Sequence, residues 1–245
     1  LCLIFFPGCA GIPVQPPPPF SPQKIAQILS EIGEQENKAD TLFSTGKLMI
    51  KGEDLESESD ILIVGSKAPF KVKIEITHPW GRPILHILAT ETNLHILSFP
   101  EKRYYLGLLG NSAPLGFFPK SLKPDQLWSL VRGFPILRKN DHAVSLKGNQ
   151  IMLLNQNAEI VQTIDFFPQS HLPRLVSFPE QNTNIYLSNY QKENKICYAR
   201  EIRLNDPVSA SDLSINLKQM VFNKPIPEAI YSIKIPADFK TLPLN

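Results

Sequence analysis

The side chains best suited to acid–base or metal chemistry near neutral pH are five histidines, at positions 78, 86, 95, 142 and 171. They are scattered. His86 and His95 fall on neighbouring predicted strands, but no carboxylate or cysteine stands at ligand spacing beside them. Asp54, Glu56, Glu58 and Asp60 are close together. A calcium loop needs a glycine and a distal glutamate in register, which this stretch lacks, so it reads as a solvated acidic turn. Asp141 and His142 read as a turn. No GxGxxG, P-loop or GxSxG motif occurs. Nothing in the sequence assembles a nucleophile, a base and an oxyanion donor, although a triad spread along the chain escapes this test. The expectation is a protein that is not an enzyme and uses neither cofactor nor metal.

The third kind of reactive side chain is cysteine. Cys2 lies in an apolar start, Cys197 lies alone in a predicted strand, and Cys9 follows Gly8 in "FFPGCAG". No CxxC or zinc spacing exists, and Cys197 reads as a small core hydrophobe. The stretch "LCLIFFPGCAG" resembles the end of a signal peptide running into a lipoprotein processing site, with Phe6 and Pro7 departing from the usual residues. On that reading residues 1–8 are a signal remnant and Cys9 carries acyl chains. Two or three chains anchor a protein stably. Ala10 then points to the outer membrane. An apolar N-terminus without processing is the other reading.

Twenty-five basic and 23 acidic residues leave a net charge of +2, interspersed along the chain. No basic stripe offers a footprint for nucleic acid. With 245 residues, 42% of them hydrophobic, there is ample material for a core. Prolines outnumber glycines 23 to 12, which favours turns and short strands over long helices.

The elements that must position these residues follow from hydrophobic period. Residues 9–21 form a lipidated cysteine and a proline-rich tether, "GIPVQPPPPFSP", ahead of one domain over 22–245. From Pro22 to Phe43 the period is helical: Ser21 caps, Ile25, Ile28, Leu29 and Ile32 form a stripe, Gly33 interrupts, and Ala39, Leu42 and Phe43 resume. Period two then takes over. "PFKVKIEITHP" sets Phe70, Val72, Ile74 and Ile76 against Lys71, Lys73 and Glu75. About six strands precede a second helix at 124–132, started by Pro124 and stopped by Gly133 and Pro135. Seven or eight strands follow, among them "AIYSIKIP". The short joins argue for sequential antiparallel pairing. The expected fold is α+β, with a large curved antiparallel sheet whose concave side the helices cover.

Two stretches expose apolar residues at turns. Pro79, Trp80 and Gly81 form the tip of a strand–turn–strand. The segment 107–124 breaks Leu108, Leu109, Leu115, Phe117 and Phe118 with glycine and proline. It reads as a lid, a membrane-touching loop or a core segment.

Three stretches carry a resemblance to the Lol lipoprotein carriers, LolA and LolB, and related outer-membrane lipoproteins. "VKIEITHPWGRPILHI" resembles a LolB strand–turn–strand. "LWSLVRGFP" resembles a LolB helix ending in a Gly-x-Pro step. "NKPIPEAIYSIKIPADF" resembles the closing strand of the superfamily. The resemblance implies an unclosed β-barrel of about eleven or more strands, with helices plugging the open side around an apolar cavity for acyl chains. Inward positions would line it: Leu48, Ile50, Ile61, Ile63, Phe70, Val72, Ile74, Ile76, Leu88 and Leu97, opposed by Leu127, Val131 and Phe134. The implied partners are acyl chains of a lipid or lipoprotein, the inner leaflet of the outer membrane through Cys9, and a periplasmic LolA-type carrier. Trp80 stands where LolB exposes a leucine, so it would touch a bilayer or cargo. The alternative is that it folds back to seal the barrel mouth. A structural or assembly lipoprotein, with the same sheet as a docking scaffold, is the rival function.

Overall fold

Alternation of apolar and polar residues does most of the building. In Lys71–Thr77 every second side chain is buried, and the same period recurs along the chain. The computed structural model describes residues 17–51, 56–109, 123–206 and 211–244. Helix α1 (Pro22–Asn37) leads into β1 (Thr41–Lys51), β2 (Glu56–Ser66), β3 (Lys71–Thr77), β4 (Pro83–Thr90), β5 (Asn93–Ser98) and β6 (Arg103–Leu108). Helix α2 (Pro124–Arg132) comes next. Then follow β7 (His142–Val144), β8 (Gln150–Leu154), β9 (Ile160–Phe166), β10 (Pro173–Phe178), β11 (Thr183–Glu193), β12 (Ile196–Asp206), β13 (Ser211–Phe222) and β14 (Lys240–Pro243).

Among the described residues all fourteen strands join one sheet, ordered β14-β6-β5-β4-β3-β2-β1-β13-β12-β11-β10-β9-β8-β7. Pairing is antiparallel throughout, except that β14 lies parallel to β6. The seam between the halves is the pairing of β1 with β13, where Leu48 faces Ile215. The end strands β14 and β7 do not meet, so the barrel is unclosed. Flat, such a sheet would be about 60 Å wide. Helices of 16 and 9 residues, roughly 24 and 14 Å long, pack against apolar residues of this sheet.

Both helices lie on one face. Leu127, Trp128, Leu130 and Val131 of α2 share a cluster with Leu48, Ile63, Ile74, Ile87 and Val176. Ile25, Ile28 and Ile32 of α1 cluster with Ile151, Leu153, Ile164 and Phe166. Ile164 and Val176 are register partners, so the two patches are contiguous.

Three local expectations are corrected. Helix α1 runs unbroken through Gly33, where a side chain would meet nothing within 4 Å. It stops at Asn37, and Leu42 and Phe43 belong to β1. The clasp comes from the end of β13: Asn223 Oδ1 accepts the Asp40 N–H at 2.9 Å, and its amide donates to the Lys38 carbonyl at 2.7 Å. The stretch "AIYSIKIP" is not a strand. It holds a short 3-10 turn (Glu228–Tyr231) and then crosses the reverse face of the sheet, where Tyr231 is buried with Val64 and Leu88. Pro225, Pro227 and Pro236 lack the amides a ladder needs.

The end of the proline-rich segment is seated. The Pro17 carbonyl accepts the Gly148 N–H at 3.0 Å, the Phe20 N–H donates to Ser145 Oγ at 3.0 Å, and the Phe20 ring meets Phe166 edge-on.

Candidate functional site

Helix α2 is positioned by its two ends. Pro124 opens it, and the Gln126 side chain accepts the Lys123 N–H at 2.8 Å. Gly133 closes it with φ 68°, a left-handed conformation that suits glycine. Gly133 also touches the sheet: its carbonyl accepts the Ala199 N–H at 2.7 Å. At the other side of the helix a Cβ on Gly65 would lie 2.9 Å from Cζ3 of Trp128, so glycine in β2 makes room for the indole.

Residues 126–132 are all buried, polar ones included. Among them Trp128 Nε1 and Arg132 Nε and Nη1 have no hydrogen-bond partner, and neither does Ser44 Oγ in β1 beneath. Buried polar groups are ordinarily paired, so these donors mark the space around α2 as incomplete.

Of the thirteen residues expected to line a cavity, Leu48, Ile61, Ile63, Phe70, Val72, Ile74, Ile76, Leu127 and Val131 share the cluster around α2. Ile50 is half-buried against it, and Phe134 joins the cluster under α1. Leu88 and Leu97 are buried on the reverse face, because Ile87 and Ile96 take the helix face in β4 and β5. Seven of the residues expected on strands thus share one buried cluster with the α2 stripe.

Beside α1 lies a cleft of about 250 Å3. Ile28, Ile32, Phe134 and Leu172 supply apolar walls, and Glu31, Glu34, His171 and Lys192 also line it. Cys197 is free, buried and part of the wall; burial raises its thiol pKa. The adjacent Tyr190 hydroxyl donates to the Pro173 carbonyl at 2.6 Å and is pushed well above its usual range by burial. Sequence reasoning missed the cleft. The signal open to it was a lone arginine, Arg132, in the last turn of a helix with no exposed face.

Trp80 is 78% exposed at the tip of the β3–β4 turn. The turn is closed by Gly81 N–H to the His78 carbonyl and His78 N–H to the Arg82 carbonyl, both at 2.8 Å, with Gly81 at φ 80°. The His78 ring stacks on the indole at 6.2 Å. Leu108 is exposed at the end of β6 and Leu109 packs against the main cluster. Cys9, Leu115, Phe117 and Phe118 lie outside the described residues.

The remaining histidines do not converge. His86 and His95 sit on adjacent strands of the reverse face, His86 edge-on to Phe99 and His95 Nδ1 2.6 Å from the Tyr104 hydroxyl. Burial lowers both pKa values. Among the described residues no group of three or more His, Cys, Asp or Glu could hold a metal ion. No described helix is long and apolar enough to cross a membrane.

No family model matches the sequence, and no curated protein sequence matches it. Solved structures do. A domain from Vibrio parahaemolyticus named for outer membrane lipoprotein sorting superposes with a TM-score of 0.52 at 13% identity, over 84% of this chain and 94% of that one. A LolA superfamily protein from Nitrosomonas europaea gives 0.47 at 12% identity, over 85% and 97%. A DUF1329 family protein from Desulfovibrio piger gives 0.46 at 10% identity, over 84% and 95%. The unclosed barrel with its helices is thus a fold this chain shares, nearly end to end, with the Vibrio lipoprotein-sorting domain.

Proposed function

We propose that this protein is a lipid-anchored, periplasm-facing binding protein of the outer membrane that receives acyl chains of a lipoprotein or another lipid, without covalent chemistry. The observation that carries the reading is α2 itself. It is nine residues long, it covers a broad apolar face, and it buries unpaired donors at Trp128 and Arg132. A helix this short owes its stability to packing rather than propensity. A hydrocarbon chain could take over the contacts of its stripe. Each buried CH2 is worth about 0.8 kcal/mol, so ten methylenes offer roughly 8 kcal/mol before ordering costs. The unpaired indole N–H and the Ser44 hydroxyl would then meet the carbonyl of an ester or amide. The name of the Vibrio neighbour agrees with this chemistry.

In this reading Cys9 holds the chain to the inner leaflet. Trp80 supplies a second contact with lipid, its ring apolar and its N–H left wet. A LolA-type carrier would deliver the cargo.

One observation favours the rival, an assembly lipoprotein that docks a protein on a solid sheet: seven of the lining residues expected on strands already lie in one buried cluster with Leu127 and Val131 of α2. Organic extraction of the purified protein, made without Cys9 and analysed by mass spectrometry, separates the two. The carrier yields stoichiometric acylated lipid, or takes up a fluorescent acyl probe that native lipid displaces. A protein with no lipid and no probe binding is the scaffold.

A further inference from the structure

Arg132 has no exposed surface, yet it is poorly satisfied. One guanidinium nitrogen, Nη2, donates to the Gln35 carbonyl in the last turn of α1. That turn has no basic residue of its own, so Arg132 serves the negative end of the helix. The other two nitrogens, Nε and Nη1, have no partner. Glu36 is the carboxylate whose charge acts on Arg132, but it is held at 3.1 Å by Lys67. The guanidinium lies over the Phe134 ring, 5.1 Å from its centre. Burial lowers its pKa to about 10, which leaves it charged at neutral pH.

Both groups that touch the guanidinium, Gln35 and Phe134, also line the cleft beside α1. A fixed cation with two free donors thus stands directly behind an apolar-walled cleft. The cleft's volume of about 250 Å3 falls just below the 300–1,000 Å3 usual for small-molecule sites. That admits one short chain rather than a two-tailed lipid. Lys192 in the lining attracts an anion, while Glu31 and Glu34, also in the lining, disfavour a dianion.

We propose that this cleft binds a single-chain carboxylate, a fatty-acid-like monoanion, whose head pairs with Nε and Nη1 of Arg132 and whose chain lies along Ile28, Ile32, Phe134 and Leu172. The Phe134 ring, edge-on to Tyr190 at 6.1 Å, is the group that turns aside to admit the head. Carboxylate and guanidinium form a two-pronged, charge-assisted pair, the strongest polar contact a short ligand can make. The site belongs to the cluster under α1, contiguous with the patch under α2, and it draws on Arg132 of that helix; it therefore rests in part on the acyl-chain reading, and its test reads head-group preference rather than acyl-chain uptake.

Isothermal titration of the folded chain with octanoate, octanol and octyl phosphate tests this. Octanoate should bind at least tenfold more tightly than octanol, octyl phosphate no more tightly than octanoate, and Arg132→Met should erase the preference over octanol. Equal binding of octanoate and octanol overturns the proposal, as does a preference that survives in the variant. Should Arg132→Met fail to fold, the 13C carboxyl signal of labelled octanoate on the wild type decides. Its titration should move below that of free octanoate; an unmoved titration overturns the proposal, whatever lipid co-purifies.

Discussion

The carbonyl of Gly133 accepts the Ala199 amide at 2.7 Å, and a Cβ on Gly133 would lie 2.5 Å from the Ala199 carbonyl. The end of α2 is therefore pinned to β12 at a point where no side chain fits. Gly133→Ala combines the cost of a left-handed non-glycine, about 1–3 kcal/mol, with that collision. Gly81, at φ 80° with nothing within 4 Å of its Cβ position, is the control. Gly81→Ala should cost about 1 kcal/mol. Urea unfolding of the two variants should rank Gly133→Ala as clearly the less stable. Equal midpoints would mean that the Ala199 contact does not hold α2.

Ser44 offers a test of the space beneath α2. Its hydroxyl is buried without a partner. Removing an unsatisfied polar group recovers its desolvation cost, so Ser44→Ala should raise unfolding stability by about 1 kcal/mol in lipid-free protein. With acyl lipid bound, the gain should shrink, because the hydroxyl then has a carbonyl to meet. A gain unchanged by lipid argues that cargo does not reach this face.

Trp80 contributes little to folding at 78% exposure. Trp80→Ala should leave stability within about 0.5 kcal/mol of wild type. It should weaken co-sedimentation of the unlipidated protein with phospholipid vesicles severalfold. Equal sedimentation removes the membrane role and leaves Trp80 as a turn residue stacked on His78.

His86 and His95 predict a pH dependence. Burial holds both pKa values below the unfolded value of about 6.5, so the unfolded chain takes up protons first as pH falls. Stability should be full above about pH 6.5 and decline as pH drops from there toward the lower folded-state values. The groups around them are Glu75 and Lys73 beside His86 and the Tyr104 hydroxyl beside His95. Urea midpoints at pH 7.5 and 5.5 should differ for wild type and converge in His86→Gln/His95→Gln. A wild-type midpoint that is the same at both values sinks the prediction.

What could be read without the structure was local. Helix α2 starts at Pro124 and ends at Arg132 as its proline and glycine signals require. Val72, Ile74 and Ile76 share a face as period two requires. The exposed tip at Trp80 follows from Pro79 and Gly81. Each of these depends on neighbours in sequence. Leu88 and Leu97 show where that logic fails. In β4, Ile87 and Leu88 are both buried, one under α2 and one under Tyr231. Where both faces of a strand are covered, alternation no longer tells the two sides apart.

Hydrophobic period and proline or glycine placement determined α2, the start of α1, most of the strands and the antiparallel character of the sheet. Tertiary structure decided which distant strands close ranks, β1 with β13 and β14 parallel to β6. It also stopped α1 at Asn37, laid residues 223–239 over the reverse face, and set Arg132 beneath the end of another helix. The reason is physical. A repeat of two or 3.6 residues records what a segment does with its own backbone, whereas a buried charge or a doubly covered strand is defined by groups far away in the chain, such as Gln35, 97 residues before Arg132, and Tyr231 over Leu88.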